Sequence, residues 1–138
     1  MSDELYQARI VALARSKAGA GKLAAPTKSA RRDNPLCGDR VTIDVKLDDT
    51  GHIAEIAHQV RGCLLCQASA VALASSAVGR DASGIAELRH DAERAIGREA
   101  GKAHEPFDAF EPVAGHKSRH ECVLLPFEAL QDALKLPS

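Results

Sequence analysis

The chain contains no tryptophan, a single tyrosine and three phenylalanines in 138 residues. Its core therefore cannot rest on large rings and must be fine-grained, built from alanine, valine, leucine and isoleucine. No apolar run approaches the ~20 residues that a membrane-spanning helix needs. The start, MSDELYQAR, lacks the basic-then-apolar order of a secretory signal. Charge of one sign is also missing: 18 Lys and Arg face 19 Asp and Glu, leaving a net charge of −1. A nucleic-acid binder usually carries a basic excess, and the nearest thing to a cluster, Arg31-Arg32, reads as a solvated loop. The four cysteines do not assemble into the paired short spacings of a zinc finger, and there is no internal repeat. These absences argue against a membrane-spanning helix and against a nucleic-acid partner. They leave a single cytoplasmic domain spanning 1–138, with an N-terminal helix and loop over 1–33 and a core over 34–135. In a reducing compartment, cysteines serve as ligands, nucleophiles or core residues more often than as disulfides.

The pattern of what is present predicts an α+β fold. Residues 3–18 carry a rough helical stripe (Leu5, Ile10, Val11, Leu13, Ala14), with Ser2 or Asp3 as cap. Gly19, Gly21 and Pro26 then break the chain into a loop that ends at Asn34-Pro35. Residues 40–47, RVTIDVKL, alternate: Val41, Ile43, Val45 and Leu47 share one face, Thr42, Asp44 and Lys46 the other. After the turn signal Asp48-Asp49-Thr50-Gly51, residues 52–60 return as a second strand, giving an antiparallel hairpin whose register the sequence leaves open. A third strand before Pro35 is only weakly signalled. Residues 64–78 are apolar on every side and predict a buried helix ended by Gly79. Residues 83–99 predict an amphipathic helix capped by Ser83. A loop from 101 to 115 has room for a helical turn at 107–113. A last helix is expected over 123–135, with Pro126 in its first turn. Helices following strands argue for a small antiparallel sheet of two to three strands with helices on one face.

On this map three cysteines fall at the ends of elements, where chain segments converge. Cys37 precedes the first strand, Cys63 lies between strand and buried helix, and Cys122 lies just before the last helix. Two of them precede helix N-termini, where unpaired N–H groups and the helix dipole favour a thiolate. Gly38 and Gly62 allow close backbone approach, and Asp39 adds a carboxylate. Three thiolates and one carboxylate suit zinc or an open iron–sulfur site. Each residue also has an ordinary reading. Cys66 reads as a small core residue, Asp39 alone as a turn residue and His120 as a surface histidine. His52, His58, His90, His104 and His116 show no ligand spacing. The residues by themselves stop at a thiolate-rich site.

Three separated segments, in order, resemble the U-type iron–sulfur assembly family, which comprises SufU, IscU and the N-terminal domain of NifU. Asn34-Pro35-Leu36-Cys37-Gly38-Asp39 matches the family's N-P-x-C-G-D. Gly62-Cys63 leads into the Ala/Ser-rich LLCQASAVALASS, and Arg119-His120-Glu121-Cys122 matches the segment of the third cysteine. Cys122 follows Cys63 by 59 positions, a spacing more like SufU than IscU. The L-P-P-V-K segment of IscU-type chains is absent, with VAGHK nearby instead, and Glu121 stands where IscU-type chains carry histidine.

The resemblance implies metal ligands Cys37, Asp39, Cys63 and Cys122, with Arg119, His120 and Cys66 as neighbours of the site. It implies zinc, or alternatively a transient [2Fe–2S] cluster or iron. Its partners would be a cysteine desulfurase of the SufS kind and a downstream scaffold or apo-protein acceptor. Cys122 would be the sulfur acceptor, making the chain at most a zinc-dependent sulfurtransferase and otherwise a scaffold. In the scaffold role Asp39 is a weak ligand whose replacement by alanine should trap the cluster. Two rivals stand beside this reading: a thiol–disulfide protein using Cys63 and Cys66, and a structural zinc domain.

Overall fold

The computed structural model describes residues 8–35 and 38–135. The alternating segment forms the middle of a three-stranded antiparallel sheet, ordered β1 (Lys28–Asn34), β2 (Asp39–Leu47), β3 (Ile53–Arg61). The expected hairpin is present, with Arg40 opposite Arg61, Val41 opposite Val60 and Ile43 opposite His58. Val41, Ile43 and Val45 are buried on the inner face. β1 is a strand that the pattern scarcely announces. Its inward positions Lys28, Ala30, Arg32 and Asn34 pair with Val45, Ile43, Val41 and Asp39, and of these four only Ala30 is apolar. Arg32 instead reaches across to Asp132 at 2.6 Å. The far edge of β3 is covered by residues 19–21: the His58 N–H donates to the Gly19 carbonyl and the Gly21 N–H to the His58 carbonyl, both at 2.8 Å. A side chain at Gly19 would place its Cβ 2.9 Å from the Ala74 Cβ, and φ there is +80°.

The helices are α1 (Ala8–Ser16), α2 (Leu64–Ala77), α3 (Ala82–Ala95) and α4 (His120–Lys135). α2 lies against β3, and α4 against β1 and β2; both therefore cover the inner face, the arrangement expected for an α+β chain. α2 is buried nearly all round, as its composition predicts. All three phenylalanines are in the core, and Phe107 and Phe127 meet at 5.6 Å between ring centres. Residues 107–113 form the expected helical turn, of the tighter 3-10 kind. Among the described residues no helix is long and apolar enough to cross a membrane. The expected caps Ser2 and Asp3 lie outside the described residues.

Two helix boundaries differ from expectation. Asp81, not Ser83, caps α3: its Oδ1 accepts the Gly84 N–H at 2.9 Å, and an ionised carboxylate is at least as good a cap as a serine hydroxyl. This helix stops at Ala95 because Gly97 takes a φ of +82°. α4 begins at His120 after a 3-10 turn at Lys117–Arg119, so Cys122 sits inside its first turn rather than before it. Pro126 consequently falls in the second turn, where its ring nitrogen has no hydrogen to offer the Cys122 carbonyl. Beside it, the buried Ser69 hydroxyl of α2 donates to the Val123 carbonyl, tying the two core helices together next to Cys122.

Candidate metal centre

Three elements deliver the donor atoms. β2 opens with Asp39, whose partner Asn34 closes β1. Just before Asp39, Gly38 takes a φ of +73° and donates its N–H to the Asn34 carbonyl at 2.8 Å. Cys63 is the N-cap of α2, with extended backbone at φ −73° and ψ 167°. Cys122 comes from the first turn of α4. One carboxylate oxygen of Asp39 and the sulfurs of Cys63 and Cys122 all lie within 4.8 Å of one another. The remaining expected ligand, Cys37, lies outside the described residues.

The carboxylate is held as much as it holds. Asp39 is 2% exposed. Its Oδ1 accepts the Cys63 N–H at 3.1 Å, and its Oδ2 lies 3.9 Å from the Cys63 sulfur. Its floor is Gly62: a Cβ there would lie 2.3 Å from Oδ1 and 2.8 Å from Cγ. Glycine is required at this position so that the Asp39 carboxylate can lie on its α-carbon. Sequence reasoning singled out Gly62 for close backbone approach to a ligand and missed this specific job.

The two thiols share a proton unequally. The Cys122 thiol donates a hydrogen bond to Cys63, which is the main reason the Cys63 pKa falls to about 6. The Cys66 backbone N–H and the Arg119 guanidinium add to the effect, while burial and Asp39 oppose it. The same shared hydrogen bond, with burial, drives the Cys122 thiol well above its ordinary range. The shared hydrogen bond favours the thiolate at Cys63 and the thiol at Cys122. Cys63 is half-buried, whereas Cys66 and Cys122 are fully buried, and none of the three is in a disulfide.

The neighbours separate into two groups. Arg119 lies close enough to favour the thiolate at both cysteines. Cys66 contributes its backbone N–H while its side chain belongs to the apolar core. The buried His120 is engaged elsewhere. Its Nε2 lies 3.2 and 3.1 Å from the Val113 and Ala114 carbonyls, and its Nδ1 accepts from the Arg98 Nε at 3.3 Å. It pins the 107–113 turn to α4. His58, expected to be ordinary, is buried and bonded through Nε2 to the Ala18 carbonyl at 2.9 Å.

The donor set suits a thiophilic metal. A zinc–sulfur bond is ~2.3 Å long, so atoms already this close need only small rotations to share one ion. A buried carboxylate beside two cysteines, one of them favoured as the thiolate, suits a cation.

Comparison with known proteins agrees with this geometry. Residues 5–135 match the family model described as NifU-like N terminal domain. The iron–sulfur cluster assembly scaffold protein IscU of Thermotoga maritima is 28% identical over 134 residues, covering 95% of this chain and 93% of that one. The crystal structure of a nitrogen-fixing NifU-like protein (N-terminal) from Brucella abortus superposes with a TM-score of 0.86 at 32% identity, covering 96% of this chain and 94% of that one. A structure of SufU, described as an assembly scaffold protein for the SUF system, from Fervidobacterium islandicum gives a TM-score of 0.88 at 28% identity, covering 98% of this chain and 100% of that one. The chain belongs to the NifU-like N-terminal domain family of iron–sulfur cluster assembly scaffolds.

Proposed function

We propose that Cys37, Asp39, Cys63 and Cys122 form one ligand set that receives sulfur from a cysteine desulfurase of the SufS kind and passes sulfur, or a [2Fe–2S] cluster assembled there, to an acceptor protein in the cytoplasm. The observation that carries this reading is the convergence of Asp39, Cys63 and Cys122 from three separate elements onto one point. Cys37 stands two residues before Asp39, in the connection that delivers it.

As a sulfur acceptor, the site would hold zinc on these four residues. A bound zinc keeps thiols deprotonated at neutral pH and, having no d-electron preference for one geometry, tolerates exchange of a ligand. The Cys122 thiolate attacks the outer sulfur of the partner's persulfide. The persulfide S–S bond breaks, a new S–S bond forms at Cys122, and the electron pair leaves with the partner's cysteine as thiolate. Arg119 steadies the negative charge. Asp39, fixed on Gly62 and the Cys63 N–H, stays in place while a thiolate departs. A second reading follows from exposure: Cys63 is the more accessible sulfur, so it takes the first persulfide and hands the outer sulfur to Cys122 by the same exchange. As a scaffold, the chain carries the cluster as cargo, and Asp39 is the weaker ligand from which it is released.

Metal analysis, absorption spectra and desulfurase stimulation on one anaerobic preparation test these readings. One zinc without visible absorption, together with stimulation, supports sulfur transfer; iron and sulfide with visible charge-transfer bands support the scaffold. Peptide mapping after reaction with desulfurase and cysteine locates the added sulfur on Cys37, Cys63 or Cys122. Cys63→Ser and Cys122→Ser are each expected to lose the metal, and Cys66→Ser to keep it. A protein that neither binds metal nor stimulates the desulfurase would overturn the assignment. Retained metal in Cys63→Ser and Cys122→Ser would overturn the ligand set.

A further inference from the structure

Two faces of the sheet have different fates. The inner face is covered by helices. On the outer face the strands present Ser29, Arg31 and Asp33, then Arg40, Thr42 and Asp44, then Ala57, Gln59 and Arg61, as the register dictates. One end is roofed by the chain before β1. There the buried Asp44 accepts the Leu23 N–H at 3.2 Å and the Ser29 hydroxyl at 2.6 Å. The other end is open, with a shallow recess of about 340 Å³ bounded by Arg31, Arg40, Thr42, Gln59 and Arg61.

This open end has an excess of positive charge. Arg40 and Arg61 are direct cross-strand partners, an arrangement in which like charges destabilise a sheet. Arg31 joins them one strand over, opposite Thr42. On this outer face Asp33 is the paired carboxylate, 2.8 Å from the Arg40 Nε, while the Asp39 carboxylate at the same end is turned to the inner side against Gly62. Three guanidiniums thus share one counter-charge on a chain whose net charge is −1. The patch also adjoins the ligands: Arg40 follows Asp39, and Arg61 precedes Gly62-Cys63.

We propose that this outer sheet end, through Arg31, Arg40 and Arg61, is the docking face for a carboxylate-bearing surface of the protein that delivers sulfur. The inference rests on the sulfur-transfer reading above. Guanidinium forks match carboxylates in two-point hydrogen bonds, and a partner seated here has its margin at the metal ligands. A phosphate-bearing ligand fits less well. The N–H groups of the central strand β2 at this end are committed to the ladder on both sides and form no backbone anion nest, and the chain as a whole offers a polyanion no long-range attraction.

The test titrates the native metal-loaded chain against the cysteine desulfurase of the same organism at low and high salt. Arg31→Glu/Arg61→Glu should raise the half-saturating concentration ~tenfold or more and flatten its salt dependence. Metal content should be unchanged, and Arg31→Lys/Arg61→Lys should stay near the unaltered chain. Arg61 lies close to Cys63, so Arg31→Glu alone is the control for local damage and should by itself raise half-saturation ~threefold. Unchanged half-saturation in the double variant overturns the docking face and leaves the function standing. So does a shift accompanied by metal loss while Arg31→Glu has no effect. Loss of binding to a single-stranded RNA oligonucleotide with an unaltered desulfurase curve overturns it in favour of nucleic acid. No stimulation by the unaltered chain overturns the sulfur-transfer reading and this inference together.

Discussion

At the scale of single residues, the site depends on a side chain that is missing. Gly62 has no Cβ, and the Asp39 carboxylate occupies the space one would take, with Oδ1 2.3 Å from where that carbon would stand. Gly62→Ala is therefore expected to push Asp39 off its seat without unfolding the chain. Its metal affinity should fall ~10–100-fold, the range for losing a group that orients a ligand, as read by competition with a chromogenic chelator against a circular dichroism control. Exposure makes a second prediction. Cys63 is half-buried, while Cys66 and Cys122 are fully buried. A thiol reagent on the metal-free protein should label Cys63 first among these three, with the other two reacting only on denaturation. Adding the metal should protect Cys63, and peptide mass mapping reads both results. That Asp39, Cys63 and Cys122 belong together was legible because the family's motifs name them, and the structure groups their donor atoms. The Gly62–Asp39 packing was not, since a glycine's neighbour in space leaves no trace in the residues beside it.

At the scale of elements, legibility followed apolar pattern. β2 and α2 were plain, one alternating and the other apolar throughout. β1 was obscure because its inward positions include lysine, arginine and asparagine, stabilised by reach and pairing rather than by apolar burial. The start of α4 was misjudged because the basic turn Lys117–Arg119 carries no apolar period, yet leads directly into His120. The cap of α3 was assigned to Ser83 when the nearer carboxylate serves. Asp81→Ala should remove the bond to the Gly84 N–H and cost about 1 kcal/mol, lowering Tm by about 3–5 °C in a domain of this size. Ser83→Ala should leave Tm within about a degree of the unaltered chain, because a surface change that removes no cap or buried bond costs little. Differential scanning calorimetry of the two variants separates the caps.

At the scale of the whole molecule, the register and the covered edge of β3 bring in a pH dependence that no motif suggests. His58 is 4% exposed, and burial lowers its pKa below the ordinary 6.5, although its bond to the Ala18 carbonyl works the other way. The unfolded chain therefore takes up a proton at a pH where the folded chain does not. The sign follows: the stabilising contribution is full above pH ~6.5 and is lost as acidity rises toward the folded-state value. Urea titrations between about pH 7 and pH 5 should show stability falling, with a shallower fall in His58→Gln. His90, raised by its exposed pairing with Glu99, acts in the opposite sense, so His90→Gln should steepen it. The hairpin, α2 and α4 each bring a donor to the same point from positions far apart in the chain, which makes a bound ion a clasp across the tertiary structure. Chelation should then loosen the three attachments unequally. Amide hydrogens in the opening turn of α4, which stands on a 3-10 turn and contains a proline, should exchange faster once the ion is gone. Those in the middle of α2, walled in on every side, should keep their protection.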